Sequence, residues 1–382
     1  MSQPYFAALD SWRGICALLV CLFHFPAVGV VTEWAFFKNG FLFVDFFFVL
    51  SGFVIAANYE GKIKNRDNVF QFLWLRVGRL YPLHLVVFAA YLAFELVKLF
   101  FGDAHSAFTG DKPVEAIPTN LLLLQAMGFH DDVTWNRPSW SISAEMYTYL
   151  IFALTLIFAG RFRLAAYAGI LTGAYVIIGV YNDGNLFVLH DYALFRCLAG
   201  FFAGTITWGI WRSQSIDREN SKSVSNWMIW TLMEIISILA VVVFTIHVRD
   251  ISWSYLAPFI FSLAVFVFAF EKGRVSSILK RRFLVYLGAL SYSTYMIHQF
   301  VIDRGLNVAA IAERVSDVAF LRYNAAGYVE LDTAPFTSDI LAIGYLAIVI
   351  CVAGLTYRWI EVPCRDAFRA ALKKRQALNT RP

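Results

Sequence analysis

Long apolar runs separated by short polar stretches dominate the chain. Ten of these runs are close to the roughly 20 residues that a helix needs to cross a bilayer. They cover residues 13–31, 40–58, 80–101, 141–160, 164–181, 190–211, 227–247, 252–270, 283–303 and 339–360. The pattern predicts an all-α, polytopic membrane bundle of about ten transmembrane helices. Ten crossings take up about 200 residues, and the rest is spread over connections and two tails. No stretch is left for a soluble catalytic domain, so any active site lies in the bundle or its loops. Residues 1–370 read as one integral-membrane domain and 371–382 as a basic tail. Two connections are long. One, 102–140, holds Pro113, Pro118 and Pro138 and a short apolar run at 120–127, expected to form an interfacial or re-entrant helix. The other, 304–338, is mixed polar and is expected to cap the bundle. No internal repeat is visible, so the inverted-repeat signature of many transporters is not evident.

Composition supports the membrane assignment: 59% of the 382 residues are hydrophobic and only 15% charged, against about 25% charged in an ordinary soluble domain. Charge placement orients the bundle. Twenty-one of the 32 basic residues fall in the connections of one side and seven in those of the other, while Arg13, Lys98, Arg196 and Arg358 lie within spans. The threefold bias places both termini in the cytosol. Basic residues in short clusters between apolar runs do not point to nucleic acid. The five cysteines show neither metal-ligand spacing nor a disulfide framework, and no metal site is expected. Residues 1–10 carry no Lys or Arg and the run that follows is of full length, so the first helix reads as retained, not as a cleaved signal.

The candidate chemistry is carried by ionisable residues inside these runs. Arg13 and His24 share a face of the first helix, about 16 Å apart along its axis. His24 is set deep, where an ionisable group needs a polar cavity or a partner; it is either a functional group or a packing hydrogen-bond former. Arg76 and Arg79 neighbour each other near the start of the third span, where unpaired helix N–H groups also favour anions. They make a phosphate clamp or a topology-setting pair. Asp45 either orients His24, as the carboxylate of a dyad does, or neutralises an arginine. Glu145, in Trp140-Ser141-Ile142-Ser143-Ala144-Glu145, is a candidate for an interhelix salt bridge or for the acceptor side. Arg196 is a lone buried cation, and Glu95 with Lys98 forms a self-satisfying i,i+3 pair. Tyr295 and His298 share one face, in a polar seam or a reacting group. Glu361 and Pro363 follow the last span, where the proline ends the helix.

These segments resemble acyltransferase family 3, the integral-membrane O-acyltransferases that modify bacterial surface glycans and some small molecules. The matching features are Leu9-Asp10-Ser11-Trp12-Arg13-Gly14 with the Arg-x10-His spacing to His24, and Val44-Asp45-Phe46-Phe47-Phe48-Val49-Leu50-Ser51-Gly52-Phe53. They continue with Arg76, Arg79 and Pro82, then Trp140, Ser141 and Glu145, Arg196 ahead of Gly200, Tyr295 with His298, and Glu361-Val362-Pro363. The ordered set extends from about residue 5 to residue 370. The resemblance implies transfer of an acyl group, usually acetyl, from cytosolic acyl-CoA to a hydroxyl. The donor is a co-substrate, not a permanently bound cofactor. The acceptor is expected to be a glycan or lipid-linked saccharide and the location a bacterial inner membrane.

On that reading Arg76 and Arg79 hold the coenzyme A phosphates. Arg13 lines the path inward, and His24 serves as general base or transient acyl carrier. Trp140, Ser141, Glu145, Arg196, Tyr295 and His298 stand on the acceptor side or support the structure. Some larger family members carry a fused extracytoplasmic domain; here only the tail follows the last span, so direct transfer to an acceptor reached from outside is expected. Two other classes use the same residues differently. A multipass transporter predicts flux without thioester consumption, and an assembly subunit gives no reason to bury His24 and paired arginines.

Overall fold

The computed structural model describes residues 4–379 apart from 103, 183–184, 220–225, 249–251, 317 and 326. Eleven helices of twelve residues or more make up the bundle among these described residues: α1 (Ala7–His24), α2 (Phe43–Tyr59), α3 (Arg66–Phe101), α4 (Trp140–Phe158), α5 (Arg163–Tyr181), α6 (Ala193–Glu219), α7 (Trp227–His247), α8 (Ala257–Phe268), α9 (Arg282–Ser316), α10 (Pro335–Thr356) and α11 (Val362–Asn379). The chain is a polytopic membrane helix bundle, and eight segments are long and apolar enough to cross a bilayer.

Two expected spans depart from that description. Residues 252–270 contain a 3₁₀ turn, Ser252–Leu256, and then only the 12-residue α8. Helix α9 is long enough at 35 residues, yet it is too polar to pass the same test. Its centre carries Ser291, Ser293, Thr294, Tyr295 and His298, all buried against other helices instead of facing lipid.

Other boundaries moved for local reasons. Asn65 caps α3 by accepting from the Asn68 N–H at 2.9 Å, so the helix begins at Arg66, fourteen residues before the expected 80. Arg76 and Arg79 therefore lie about three turns inside it, and the helix-terminus contribution expected for them is absent. The proline expected to end the last span does not do so. Pro363 has no N–H to give the Trp359 carbonyl, and the chain widens into a π turn over Tyr357–Glu361 before continuing as α11. The apolar run 120–127 is no re-entrant helix either. A single helical piece, Ile117–Leu121, stops there, and Leu123 takes a left-handed φ of 55°. The amides of Asn120 and Gln125 are drawn to Ala116 O, Thr134 Oγ1, Ser139 O and Ser139 Oγ, which fixes this connection as irregular and partly buried. On the same side, α9 continues to Ser316, and a two-stranded hairpin pairs Leu321–Tyr323 with Val329–Leu331.

In lipid, helices associate through close backbone approach, for which small residues are required. The most extensive pairs are α2 with α6 and α1 with α9. A Cβ on Gly52 would overlap the Phe201 carbonyl, and one on Gly204 the Val49 carbonyl. At the second crossing, a Cβ on Gly288 would overlap the Asp10 carbonyl, and one on Gly14 would lie 2.6 Å from Gly288 N. Helices α1 and α9 run parallel from that crossing: ten residues further along both, His24 meets His298, with ring centroids 5.0 Å apart. The crossing thus sets the register of the site. Gly288→Val is expected to lower the thermal unfolding midpoint of the detergent-solubilised protein and to abolish activity. A midpoint unchanged from wild type would show that this approach does not hold the bundle.

Candidate active site

The face of α1 toward α9 presents Arg13 and, three turns on, His24. Arg13 donates from Nε to Ser291 Oγ at 2.7 Å and from its Nη2 to the Gly288 carbonyl at 2.8 Å, with Asp10 Oδ1 3.2 Å away. It borders a cavity of about 120 Å3 between α1, α2, α3, α4 and α9. Arg76, Arg79, Ser51, Ser141, Glu145, Tyr149, Ser291, Tyr292 and Tyr295 also line it, with apolar side chains of α2. Arginines separated by more than 60 residues in sequence therefore converge on one space.

The arginines differ in how they are held. Arg76 donates to Tyr59 Oη at 3.1 Å, and its guanidinium lies over the Tyr59 and Phe72 rings, 5.3 and 5.8 Å from their centroids. Arg79 lines the same cavity, one turn further along α3. Glu361 is buried and accepts from Ser293 Oγ at 2.9 Å, a position produced by the π turn around Pro363. Both arginines border the cavity, and the buried Arg76 Nε has no partner.

Glu145, expected on the acceptor side or in an interhelix salt bridge, lines the wall shared with Arg76 and Arg79. It accepts from Ser51 Oγ at 2.6 Å and from the Tyr149 hydroxyl. Helix α4 starts at Trp140, so Glu145 sits more than a turn within it, opposite α2.

Asp45 does not reach His24. Both its oxygens accept from Arg196, Oδ1 from Nε at 2.9 Å and Oδ2 from Nη2 at 2.7 Å, and both side chains are fully buried. Arg196 also donates to the Phe41 carbonyl at 3.2 Å and lies 5.2 Å from the Trp140 ring centroid. Of the two readings of Asp45, the structure places it with an arginine. Trp140 thereby stands beside the buried pair and edge-on to Phe48 at 6.0 Å.

Tyr295 stands at the boundary between the cavity and the histidines. Its hydroxyl accepts from Ser141 Oγ at 2.9 Å, its ring meets Phe47 edge-on at 5.8 Å, and the His298 ring lies 5.7 Å away. His24 Nδ1 pairs with the Val20 carbonyl at 3.0 Å and His298 Nδ1 with the Tyr295 carbonyl at 2.6 Å. A carbonyl accepts only, so each ring carries its proton on Nδ1 and keeps a lone pair on Nε2. His298 is fully buried, and its Nε2 has no partner. Along α1 and α9 the order is therefore arginines, Tyr295, then two unprotonated imidazole nitrogens, over about 15 Å.

Sequence reasoning missed the histidine pairing. The matched spacings Gly14 to His24 and Gly288 to His298 carried a signal for it. Reasoning also passed over Arg137, which lies within electrostatic reach of His24. Among the described residues no group of three potential metal ligands is gathered.

The sequence matches a family model described as an acyltransferase domain over residues 6–303. It is 24% identical over 393 aligned positions to the peptidoglycan O-acetyltransferase OatA of Listeria monocytogenes, covering 95% of this chain and 56% of that protein. It is 34% identical over 119 residues to the acyltransferase MdmB of Streptomyces mycarofaciens, covering 30% of this chain and 28% of the relative. A protein from the picA locus of Rhizobium radiobacter is 29% identical over 161 residues, which is 39% of this chain and 81% of that one. The chain spans little more than half the length of the first of these relatives and under a third of the second. No solved structure matches it.

Proposed function

The chain belongs to the acyltransferase-domain family, and from that premise we propose that it moves an acyl group, acetyl by default, from cytosolic acyl-CoA to a hydroxyl of a cell-surface glycan or lipid-linked saccharide at a bacterial inner membrane. The observation that carries this reading is the cavity in which Arg13, Arg76 and Arg79 converge, ending at Tyr295 beside His24 and His298. Coenzyme A is too highly charged to cross a bilayer. It docks its phosphates on Arg76 and Arg79 at the cytosolic end, and the uncharged pantetheine arm carries the thioester along the cavity. Tyr295 must swing aside for the thioester to meet His24. The Nε2 lone pair of His24 takes the proton from the acceptor hydroxyl as its oxygen attacks the thioester carbonyl. A new ester C–O bond forms, the C–S bond breaks, and the proton returns from His24 to the departing thiolate. The covalent variant passes through acyl-imidazole with the same balance. The relative OatA is named for peptidoglycan, which supports a glycan acceptor.

The arginine clamp has its own test. A charge-assisted hydrogen bond contributes about 1.5–3 kcal/mol, so Arg79→Gln is expected to weaken acyl-CoA binding by about 10- to 100-fold. Arg76→Gln is expected to act in the same direction. Acyl-CoA titration of the purified variants measures this, and unaltered affinity in both would remove the phosphates from these arginines.

A further inference from the structure

Just beyond His24 the chain turns at Pro26 and Ala27, and the hairpin comes down onto it. The Leu331 N–H donates to the Pro26 carbonyl at 2.8 Å, and Ala27 forms an isolated bridge with Leu331. Asp339, at the start of α10, fastens the next residues by accepting from the Val30, Val31 and Thr32 N–H groups at 3.0–3.4 Å. The hairpin is thereby held over the end of α1 that bears the histidine. Its turn carries Tyr328, 56% exposed.

Arg137 meets that ring from the opposite connection. Its guanidinium carbon lies 5.7 Å from the Tyr328 centroid. Arg137 is half-buried just ahead of α4, between buried Asn136 and Pro138. The neighbouring amide of Asn136 is spent on the Met296 carbonyl at 3.0 Å, which ties this strip to α9 two residues before His298. Among the described residues no carboxylate forms an ion pair with Arg137. Arg13, Arg76 and Arg196, by contrast, each donate a hydrogen bond. A half-buried guanidinium without an anion and an exposed aromatic face against it thus stand at the end of the bundle where the hairpin is held on the segment after His24 and where the buried Nε2 of His298 has no partner.

We propose that Arg137 and Tyr328 form the acceptor subsite, and that the acceptor is an anionic saccharide, bearing a carboxylate or phosphate close to the hydroxyl that is acylated. This rests on the acyl-transfer reading above and deepens it. The sugar ring stacks on Tyr328, its anionic group takes the forked N–H donors of Arg137, and the neighbouring hydroxyl is turned toward the histidine pair. A neutral sugar would leave Arg137 half-buried and uncompensated, so charge in the acceptor raises affinity and fixes orientation together.

Equilibrium binding to the detergent-solubilised full chain tests this with an oligogalacturonide, its fully methyl-esterified form and a sugar-phosphate oligosaccharide; acetyl-CoA binding is measured on the same preparations. Wild type is expected to bind at least one charged probe about tenfold or more tightly than the neutral ester. The arm that shows the preference separates carboxylate from phosphate. Arg137→Gln is expected to abolish the preference, Arg137→Lys to restore part of it, and Tyr328→Ala to weaken every saccharide. No saccharide binding, equal affinity for charged and neutral probes, or a preference that survives Arg137→Gln would overturn the subsite. Failure of acetyl-CoA to bind would instead count against the acyl-transfer reading, so the two failures are distinguishable.

Discussion

Replacing His24 with alanine or glutamine is expected to lower acyl transfer by about 10²- to 10⁴-fold, the usual contribution of a general base, while acyl-CoA still binds. The expectation rests on how the ring is held. Val20 fixes Nδ1 as the donor, so the lone pair stands on Nε2 at the end of α1, where the ring lies beside His298. Glutamine keeps a hydrogen-bonding side chain but supplies no base. Coenzyme A thiol release measures turnover and titration measures binding, and both are done on protein whose unfolding midpoint matches wild type. Turnover within a few-fold of wild type in both variants would remove His24 from the chemistry. His298→Gln, measured alongside, reports whether the second Nε2 lone pair shares the proton transfer.

The second large effect lies in the bundle's interior. Asp45 and Arg196 form a bidentate pair with no solvent exposure. Removing one partner of such a pair leaves an uncompensated buried charge and costs about 3–5 kcal/mol, whereas replacing both with apolar residues of similar volume is often neutral. Asp45→Ala and Arg196→Met are each expected to lower the unfolding midpoint in detergent sharply, and Asp45→Leu combined with Arg196→Met to recover most of the loss. The pattern separates support from chemistry. A single Asp45→Ala variant with an unchanged midpoint and depressed turnover would return Asp45 to the reacting groups.

Membrane spans are legible in sequence because lipid demands uninterrupted apolar length, and most of the expected spans have a helical counterpart within a few residues. Helix α9 was recognised from its apolar stretches even though its buried seam is polar. The start of α3 was readable in principle: Asn65 ahead of Asp67 is an N-cap signal, overlooked because Lys62, Lys64 and Arg66 give the stretch the look of a loop. Pro82 was placed inside a span and lies inside α3, whereas Pro363 misled: it is carried past the expected end by a π turn, where neighbouring helices stabilise a backbone that an isolated peptide would break.

The chemistry was legible as residue types and less so as partnerships. Arg13, Arg76 and Arg79 were candidates by charge and depth, and the cavity brings them together. Asp45 with Arg196, 151 residues apart, and His24 with His298 are choices made by helix packing, which local pattern does not encode. Arg137 escaped notice because nothing in its immediate sequence distinguishes it from a loop arginine; its meaning comes from a hairpin nearly two hundred residues away.

On the proposed acyl transfer, donor and acceptor approach from opposite faces and meet between the cavity and the histidines. Proteoliposomes of known protein orientation, with labelled acetyl-CoA confined to the face bearing Arg76 and Arg79 and a glycan acceptor confined to the other, test it directly. The account predicts labelled acceptor on the far side, formed only in that arrangement and lost with His24→Ala. Product formed only when both substrates share one face, or label that crosses with no ester formed, would contradict it.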